Sequence, residues 1–213
     1  MHTVITGSNR GIGLEFSRQC KKLEHSVTAL CREPSDELSA LGVDVIPGVD
    51  VRNPPSLTDL EPIDWLILNA GIWRDESLQN LNFGTITEQF EVNTLGPLRI
   101  VDKVLNKLSE GSKILVVTSR MGCIADNTSG GRYGYRASKA ALNCLAVSLS
   151  LDLKERGIAV GLVHPGYVAT DMTRHSGTIS PKESVEGILK VIDRLDLENT
   201  GTLWDYRRET LPW

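Results

Sequence analysis

The sequence lacks the features that mark metal sites, disulfide scaffolds and nucleic-acid-binding proteins. Its four cysteines are scattered, with no Cys-x-x-Cys pair and no cysteine–histidine spacing suited to zinc: Cys20, Cys31, Cys123 and Cys144. We therefore expect reduced, mostly packed thiols and no bound metal. The net charge is -4 and no basic block is present, so the charge pattern gives no support to a nucleic-acid partner.

Long apolar runs and targeting segments are also missing. No stretch is apolar for long enough to span a bilayer, and the chain enters a strand pattern at once, without the regions of a signal peptide. We therefore expect no membrane partner and a cytoplasmic protein. No repeat, linker or low-complexity segment divides the 213 residues, of which 40% are hydrophobic. This predicts that residues 1–213 form one globular domain with a substantial core.

What the sequence does contain is an alternation of strand and helix patterns. The strand patterns lie at residues 2–6, 26–31, 43–46, 65–68, 113–118 and 158–163. The fourth is an unbroken apolar run, which is typical of a strand buried on both faces of a parallel sheet. A short helix is expected after Pro54-Pro55, and a bent helix over residues 87–108, because Pro97 cannot donate to the carbonyl of Asn93. The alternation predicts an α/β fold with a doubly wound parallel sheet.

The turn after the first strand is rich in glycine. It consists of Gly7, Ser8, Asn9, Arg10, Gly11, Ile12 and Gly13. Glycines allow the backbone to approach a phosphate, and the N-terminus of the next helix offers free N–H groups. Strand, turn and helix together predict a dinucleotide-phosphate site, although the spacing is GxxxGxG rather than GxGxxG and a glycine cluster alone usually marks only a turn.

The end of the second strand bears on which dinucleotide is bound. A ribose without a 2′-phosphate usually meets a carboxylate here, whereas a phosphorylated ribose meets an arginine. Cys31 occupies the place of the carboxylate, and Arg10 and Arg32 could both reach a phosphate, so NADP(H) is preferred. The alternative, which keeps NAD(H) possible, is that Glu33 binds the ribose and Arg32 is only a surface residue.

Further candidates follow the later strands, because open α/β sheets bind ligands at the carboxyl ends of their strands. Asp50, beside Val51, could accept a hydrogen bond from an adenine amine, although aspartate more often serves as a turn or cap residue. Small residues after the fourth strand would let a cofactor ring lie against the backbone: Asn69, Ala70 and Gly71. A Pro-Gly turn follows the sixth strand, in the run that contains Pro165, Gly166, Val168 and Thr170.

The stretch Tyr135-Arg136-Ala137-Ser138-Lys139 opens a helical pattern that ends near Gly157. Residues four apart lie on one face of a helix, so the phenol of Tyr135 and the ammonium of Lys139 can converge. A nearby cation favours the phenolate, so Lys139 could lower the pKa of Tyr135 from its usual value of roughly 10. Tyr135 would then be an acid-base group near neutral pH. The same spacing is common on solvated helix faces.

In their order, these motifs resemble the short-chain dehydrogenase/reductase family. The matches cover nearly the whole chain: residues 6–13, Asn69-Ala70-Gly71, Asn93, Ser119, Tyr135 with Lys139, and Pro165-Gly166 with Thr170. Residues 119–135 and 211–213 are also similar to the branch that contains the sniffer-type carbonyl reductases and the C-factor signalling proteins. The resemblance implies a Rossmann fold of about seven strands.

The resemblance also implies a catalytic tetrad of Asn93, Ser119, Tyr135 and Lys139. In the implied mechanism, hydride passes from NADPH to the carbonyl carbon of an aldehyde or ketone while Tyr135 protonates the oxygen. Ser119 binds that oxygen, Lys139 binds the nicotinamide ribose and lowers the pKa of Tyr135, and Asn93 holds a water. The partner is a small-molecule carbonyl compound. A homodimer is possible, and the apolar residues 142–153 could form its surface or face the sheet.

Two departures from the family pattern bear on the substrate. Ser119 and Tyr135 are sixteen positions apart, more than in most of the family, so the loop between them is expected at the substrate pocket. Residues 172–180 leave room only for a small lid, which predicts an exposed, permissive pocket. Two other functions stay open: a C-factor-like nucleotide-binding signalling protein and an NAD-dependent alcohol dehydrogenase.

Overall fold

A seven-stranded parallel sheet forms the centre of the computed structural model, which describes residues 1–213. Its strands are β1 His2–Thr6, β2 Ser26–Leu30, β3 Asp44–Ile46, β4 Ile63–Leu68, β5 Leu108–Val117, β6 Ala159–His164 and β7 Leu203–Asp205. The order is β3-β2-β1-β4-β5-β6-β7, and all neighbours pair in parallel. The order reverses between β1 and β4, which is where such sheets open a crevice for a ligand. The predicted doubly wound sheet is confirmed.

Six α-helices connect the strands. They are α1 Gly11–Lys22, α2 Asp36–Ser39, α3 Phe83–Phe90, α4 Gly96–Val104, α5 Tyr133–Lys154 and α6 Pro181–Arg194. A π-helical turn, Glu91–Leu95, joins α3 to α4, and Pro97 lies in the first turn of α4. The predicted interruption at Gly96-Pro97 is thus present, and it takes the form of a wider helical turn.

The short helix predicted after Pro54-Pro55 is wrong. Only turns and irregular backbone occupy residues 53–62. Pro62 follows soon after Pro55, and a residue that precedes a proline avoids the helical conformation, so the interval is too short for a helix. Leu57 and Leu60 instead bury their side chains in the core across a single turn.

Both faces of the sheet are covered by apolar layers. Successive residues of a strand point to opposite faces, so Val4 and Leu66 enter one buried cluster while Ile5 and Ile67 enter the other. Helices α4 and α5 cover the first face, and α1 and α6 cover the second. Each fully buried leucine or isoleucine stabilises the fold by roughly 1.5–3 kcal/mol. This two-sided burial explains why β4 is apolar throughout.

The apolar run at residues 142–153 mainly faces the sheet. Leu142, Ala146 and Leu153 are buried in the cluster between α5 and the strands, whereas Leu151 is exposed. The cysteines are free, with Cys144 the exposed one. Burial raises the pKa of the Cys20 thiol to about 12, so this thiol stays protonated. None of the helices combines the length and the apolarity needed to cross a membrane.

Candidate active site

The glycine-rich turn between β1 and α1 is pressed against the end of β4. The Nδ2 of Asn69 donates to the carbonyl oxygens of Thr6 (3.1 Å) and Gly7 (3.2 Å). A Cβ at Gly13 would lie 2.1 Å from the Gly7 carbonyl oxygen, so this approach requires glycine. No side chain caps the N-terminus of α1, which leaves its first N–H groups free to bind an anion.

A cleft of about 470 Å³ begins at this turn and extends to Lys139. It is lined by most of the residues predicted to bind cofactor: Gly7, Asn9, Arg10, Gly11, Ile12, Arg32, Asp50, Val51, Asn69, Ala70, Gly71, Tyr135, Lys139, Pro165 and Thr170. Ser8 and Gly13 do not line the cleft. The buried Ser8 hydroxyl donates to the Ile5 carbonyl (2.7 Å). Ser8, like Gly13, therefore stabilises the conformation of the turn on the side away from the cleft.

One end of the cleft is rich in arginine. Arg32 lines the cleft and Glu33 does not, which favours the arginine over the carboxylate as the ribose-side group. Arg52 also lines it, and its Nη2 donates to Oδ2 of Asp50 at 2.6 Å. This pairing lowers the pKa of Asp50, which is therefore ionised. Sequence reasoning missed Arg52, although its place two residues after Asp50 could have indicated it.

Arg10, the other predicted phosphate ligand, lies on the rim of the cleft. Its Nη1 is 3.3 Å from Oδ2 of Asp171, and both side chains are more than half exposed. Such exposed pairs contribute little to stability, so Arg10 can exchange this partner for an anion at low cost.

At the other end of the cleft, Tyr135 and Lys139 lie on the same face of α5, as their spacing predicts. The Nζ of Lys139 is 5.9 Å from the centre of the Tyr135 ring and donates to the Val117 carbonyl at 3.0 Å. Lys139 is 4% exposed, and burial lowers its pKa to about 8. Lys139 therefore exchanges its proton closer to neutrality than a solvated lysine does.

The predicted lowering of the Tyr135 pKa by Lys139 is not observed in this geometry. Burial raises the pKa of Tyr135, and its hydrogen-bonding contact with Ser119 offsets only part of that rise. The reason is that desolvation disfavours the phenolate, while the ammonium of Lys139 is directed at the Val117 carbonyl. The phenol of Tyr135 is consequently protonated at neutral pH.

Ser119 follows the end of β5 and faces a second cavity of about 300 Å³. Its Oγ accepts a hydrogen bond from the Met121 N–H (3.1 Å), which leaves the hydroxyl proton free to donate. Tyr135 lines this cavity as well as the cleft, so its phenol stands at the junction of the two. Gly166 and Val168, which were predicted to bind cofactor, line the second cavity and not the cleft.

The two segments expected at a substrate pocket also reach the second cavity. The loop between Ser119 and Tyr135 contributes Met121 and Asp126, and the short segment after Thr170 contributes Met172 and Thr173. Asp126 forms an ion pair with Arg120 within that loop. The lining of this cavity combines hydrophobic side chains, such as Met121 and Val168, with charged ones, such as Arg120 and Arg136.

Asn93 is buried in the π-helical turn and lines neither cavity. Its Oδ1 accepts from the Ile72 N–H (2.8 Å), and its Nδ2 donates to the Ile72 carbonyl (2.9 Å) and to Ser138 Oγ (3.1 Å). Asn93 thus joins the segment after β4 to α5. Its role in holding a water stays a prediction.

Two residues of the second cavity were not predicted from the sequence. The Trp73 ring packs against that of Tyr135, with ring centres 5.8 Å apart. His164, the last residue of β6, also lines the cavity, and burial lowers its pKa to about 4, so it is neutral at physiological pH. Trp73 follows the Asn69-Ala70-Gly71 motif after β4, and His164 ends β6 just before Pro165-Gly166. Their positions beside these motifs could have indicated that they lie at the site.

Related proteins were found by sequence. The family model described as short chain dehydrogenase matches residues 54–179. The 1-hydroxy-2-glutathionyl-2-methyl-3-butene dehydrogenase of Rhodococcus sp. (strain AD45) is 40% identical over 100% of both chains. The C-signal protein of Myxococcus xanthus is 43% identical, over 71% of this chain and 93% of its own.

Solved structures share the fold over the whole chain. The NADPH-bound carbonyl reductase from chicken fatty liver has a TM-score of 0.90 and 29% identity, over 100% of this chain and 98% of its own. The carbonyl reductase Sniffer of D. melanogaster has a TM-score of 0.91 and 26% identity, over 100% and 99%. The matched region therefore includes both cavities.

Proposed function

Because the chain belongs to the short-chain dehydrogenase/reductase family and is therefore an oxidoreductase, we propose that it reduces the carbonyl group of an aldehyde or ketone with NADPH. The observation that carries the proposal is the position of Tyr135. Tyr135 lines both the cleft that begins at the glycine-rich turn and the adjoining cavity that contains Ser119. A proton donor at this junction can reach a substrate that contacts a nucleotide in the cleft.

The cleft fits a dinucleotide that carries a 2′-phosphate. The Gly13 cradle and the uncapped start of α1 suit a diphosphate, and Arg32, with Arg10 on the rim, suits the additional phosphate. Arg52 donates to both oxygens of Asp50, so an adenine amine would take the place of one of these bonds. Bound NADPH supplies the hydride. The small side chains at Asn69-Ala70-Gly71 leave space for its nicotinamide end near Lys139.

Within this proposal, the residues around the second cavity form a catalytic group. The Ser119 hydroxyl and the Tyr135 phenol bind the substrate oxygen, and Tyr135 then donates its proton to that oxygen as negative charge develops. The raised pKa of Tyr135 keeps it in the protonated form that a general acid needs. Such catalysis is typically worth roughly 10²- to 10⁴-fold. Lys139, whose ammonium donates a hydrogen bond to the Val117 carbonyl, is the group that binds the nicotinamide ribose.

The second cavity favours a small carbonyl compound with an apolar body. Its walls include Ile12, Met121, Val168 and Met172, so burial of hydrocarbon would contribute to the substrate affinity. The segment after Thr170 is short, and a Tyr167–Ser176 hydrogen bond (2.5 Å) joins it back to the residues that precede Thr170. We infer a permissive substrate range.

We infer one domain over residues 1–213 and a cytoplasmic location, with no nucleic-acid or membrane partner. A homodimer, if formed, would use only the outward residues of the 142–153 run, such as Leu151, because the others face the sheet.

The likeness to C-signal favours a second candidate function, a nucleotide-binding signalling protein. The dehydrogenase name of the Rhodococcus relative favours a third, the oxidation of an alcohol. A pure binding role would not require Tyr135 to lie between Ser119 in the second cavity and Lys139 in the cleft.

Turnover assays separate these functions. We expect wild-type protein to reduce members of a panel of aldehydes and ketones with NADPH faster than with NADH, and Tyr135→Phe to lose this activity while still binding NADPH. Tyr133→Phe, which alters an exposed tyrosine two residues away, is the matched control. Cofactor binding without turnover of any carbonyl or alcohol would favour the signalling function.

A further inference from the structure

The helix that carries Tyr135 and Lys139 begins without a capping side chain of its own. Its N-cap residue, Arg132, has a left-handed backbone (φ 51°) and makes no side-chain hydrogen bond to the first turn. The cap comes from Glu76, in the segment after β4. Glu76 Oε2 accepts from the Gly134 N–H (3.3 Å), and its carbonyl oxygen accepts from the Arg132 N–H (2.8 Å). A carboxylate is favourable at this end of a helix dipole.

The carboxylate of Glu76 is buried, with 4% of the residue exposed, and it also binds α3. Its Oε1 accepts from Gln89 Nε2 (2.7 Å) and from Thr85 Oγ1 (2.8 Å). Gln89 Oε1 in turn accepts from the Arg74 N–H (2.9 Å). A buried carboxylate is costly unless its oxygens are hydrogen-bonded, and here the bonds join the segment after β4 to α3 and to the start of α5.

Gly134 allows this cluster to approach the helix backbone. A Cβ at position 134 would lie 2.3 Å from Gln89 Nε2 and 3.2 Å from Glu76 Oε1. The glycine immediately before Tyr135 is therefore part of the contact with Glu76.

The same contact holds Trp73. The Arg132 guanidinium lies over the Trp73 indole at 5.2 Å, and that indole packs on the Tyr135 ring. The backbone bond from Arg132 to Glu76 therefore joins the two segments on either side of the phenol.

We propose that Glu76 is a positioning residue for Tyr135. It caps α5 and anchors residues 72–76 to α3, and so holds the phenol between Ser119 and Trp73. Glu76 itself lines neither cavity. The role rests on the proposed reductase function, in which Tyr135 is the general acid. Displacement of a catalytic group by about 1 Å can cost up to about 10²-fold in rate, so loss of the anchor has a kinetic effect.

A reciprocal exchange of Glu76 and Gln89 tests this role. In Glu76→Gln, the new amide N–H₂ faces existing N–H donors, so either Gly134 or Gln89 loses its acceptor. In Glu76→Gln/Gln89→Glu, the carboxylate at position 89 can accept from the Arg74 N–H and from the amide at position 76. The amide oxygen at position 76 can then accept from Gly134. The double variant thus restores the bonds between positions 76 and 89 and those from the Gly134 and Arg74 N–H groups, but not the bond from position 89 to the Thr85 carbonyl (3.3 Å).

We expect Glu76→Gln to lower kcat about ten-fold, with a smaller change in KM and an unchanged NADPH dissociation constant measured by fluorescence. Hydrogen exchange at the Gly134 amide should accelerate, and the double variant should recover most of both losses. Glu61→Gln is the matched control, because it makes the same chemical change at an exposed carboxylate that precedes β4 and contacts neither α3 nor the start of α5. It should retain wild-type kcat and exchange.

Two results would overturn the inference: a wild-type kcat in folded Glu76→Gln, or a double variant no better than the single variants. If wild-type protein reduces no carbonyl compound, the proposed function has failed on its own account. Hydrogen exchange then decides the capping role, because unchanged Gly134 exchange in Glu76→Gln would show that Glu76 does not hold the start of α5.

Discussion

The indole of Trp73 packs against the phenol ring of Tyr135, with ring centres 5.8 Å apart and planes inclined by 34°. The first residue follows β4 and the second lies in the first turn of α5. The wall of the second cavity and Tyr135, the proposed proton donor, are therefore packed against each other. A substitution in this wall should therefore alter substrate binding more than it alters cofactor binding.

Replacing Trp73 tests this relationship. Aromatic pairs contribute about 0.5–1.5 kcal/mol beyond their buried area, so Trp73→Leu should raise KM for apolar ketones roughly two- to ten-fold. Trp73→Phe should have a smaller effect. Steady-state kinetics with NADPH would measure the change, with Trp213→Phe, at a half-exposed residue that lines neither cavity, as the control. Equal KM values in Trp73→Leu and wild type would contradict the assignment.

Arg32 should set the preference for NADPH. A hydrogen bond to a charged group contributes roughly 1.5–3 kcal/mol, so Arg32→Ala should weaken NADPH binding about ten- to 100-fold and NADH binding very little. Fluorescence titration with both nucleotides measures this. Arg194→Ala, an exposed arginine at the end of α6, is the control. Equal losses for both nucleotides would instead place Arg32 away from the 2′-phosphate.

Gly13→Ala should disrupt the phosphate-binding turn. The added Cβ would meet the Gly7 carbonyl oxygen and, at 2.6 Å, Asn69 Nδ2, so the backbone must move. Overpacking of this kind costs roughly 1–3 kcal/mol, which urea unfolding would detect, and NADPH affinity should fall as well. Gly84→Ala, in the exposed first turn of α3, should leave NADPH affinity unchanged. Wild-type stability and affinity in Gly13→Ala would disprove the close approach.

Lys139 should make stability depend on pH. Its pKa falls from 10.5 to about 8 on burial, so the unfolded chain binds more protons between these values. The free energy of unfolding of the wild type therefore rises as pH increases from about 8 towards 10.5. Below pH 8 the protein carries the full cost of burying the Lys139 ammonium. Lys139→Met removes this penalty.

At pH 7 we expect Lys139→Met to be more stable by roughly 1–3 kcal/mol, after the lost hydrogen bond to Val117 is subtracted. The difference from wild type should narrow at pH 9.5. Urea unfolding at both values measures it, and Lys154→Met, which alters an exposed lysine on the same helix, should show no such change. A difference that widens with pH would reverse the assigned direction of the Lys139 shift.

The sequence predicted those features that local patterns determine. Apolar runs located the strands, and the strand ends located most cleft residues, because the carboxyl ends of parallel strands meet at one edge. The absence of the helix predicted after Pro54-Pro55 shows where local patterns are insufficient. The two prolines indicated a turn, but Pro62 and the burial of Leu57 and Leu60 determine the conformation that follows it.

The electrostatics of the site could not be predicted in the same way. The spacing of Tyr135 and Lys139 placed them on one face but carried no information on how deeply they are buried, and burial dominates both pKa values. Glu76 was missed for a related reason. Its partners Gln89 and Gly134 are distant in sequence, and no local pattern connects them.

The hydrogen bonds of the π-helical turn at Glu91–Leu95 require a fixed number of residues between α3 and α4. Each residue of an α-helix advances the chain by about 100°, so deleting one residue would rotate the amide of Asn93 away from Ile72. The bonds from this turn to Ser138 would break together with it. Evolution can therefore exchange side chains around this turn more readily than it can shorten or lengthen it.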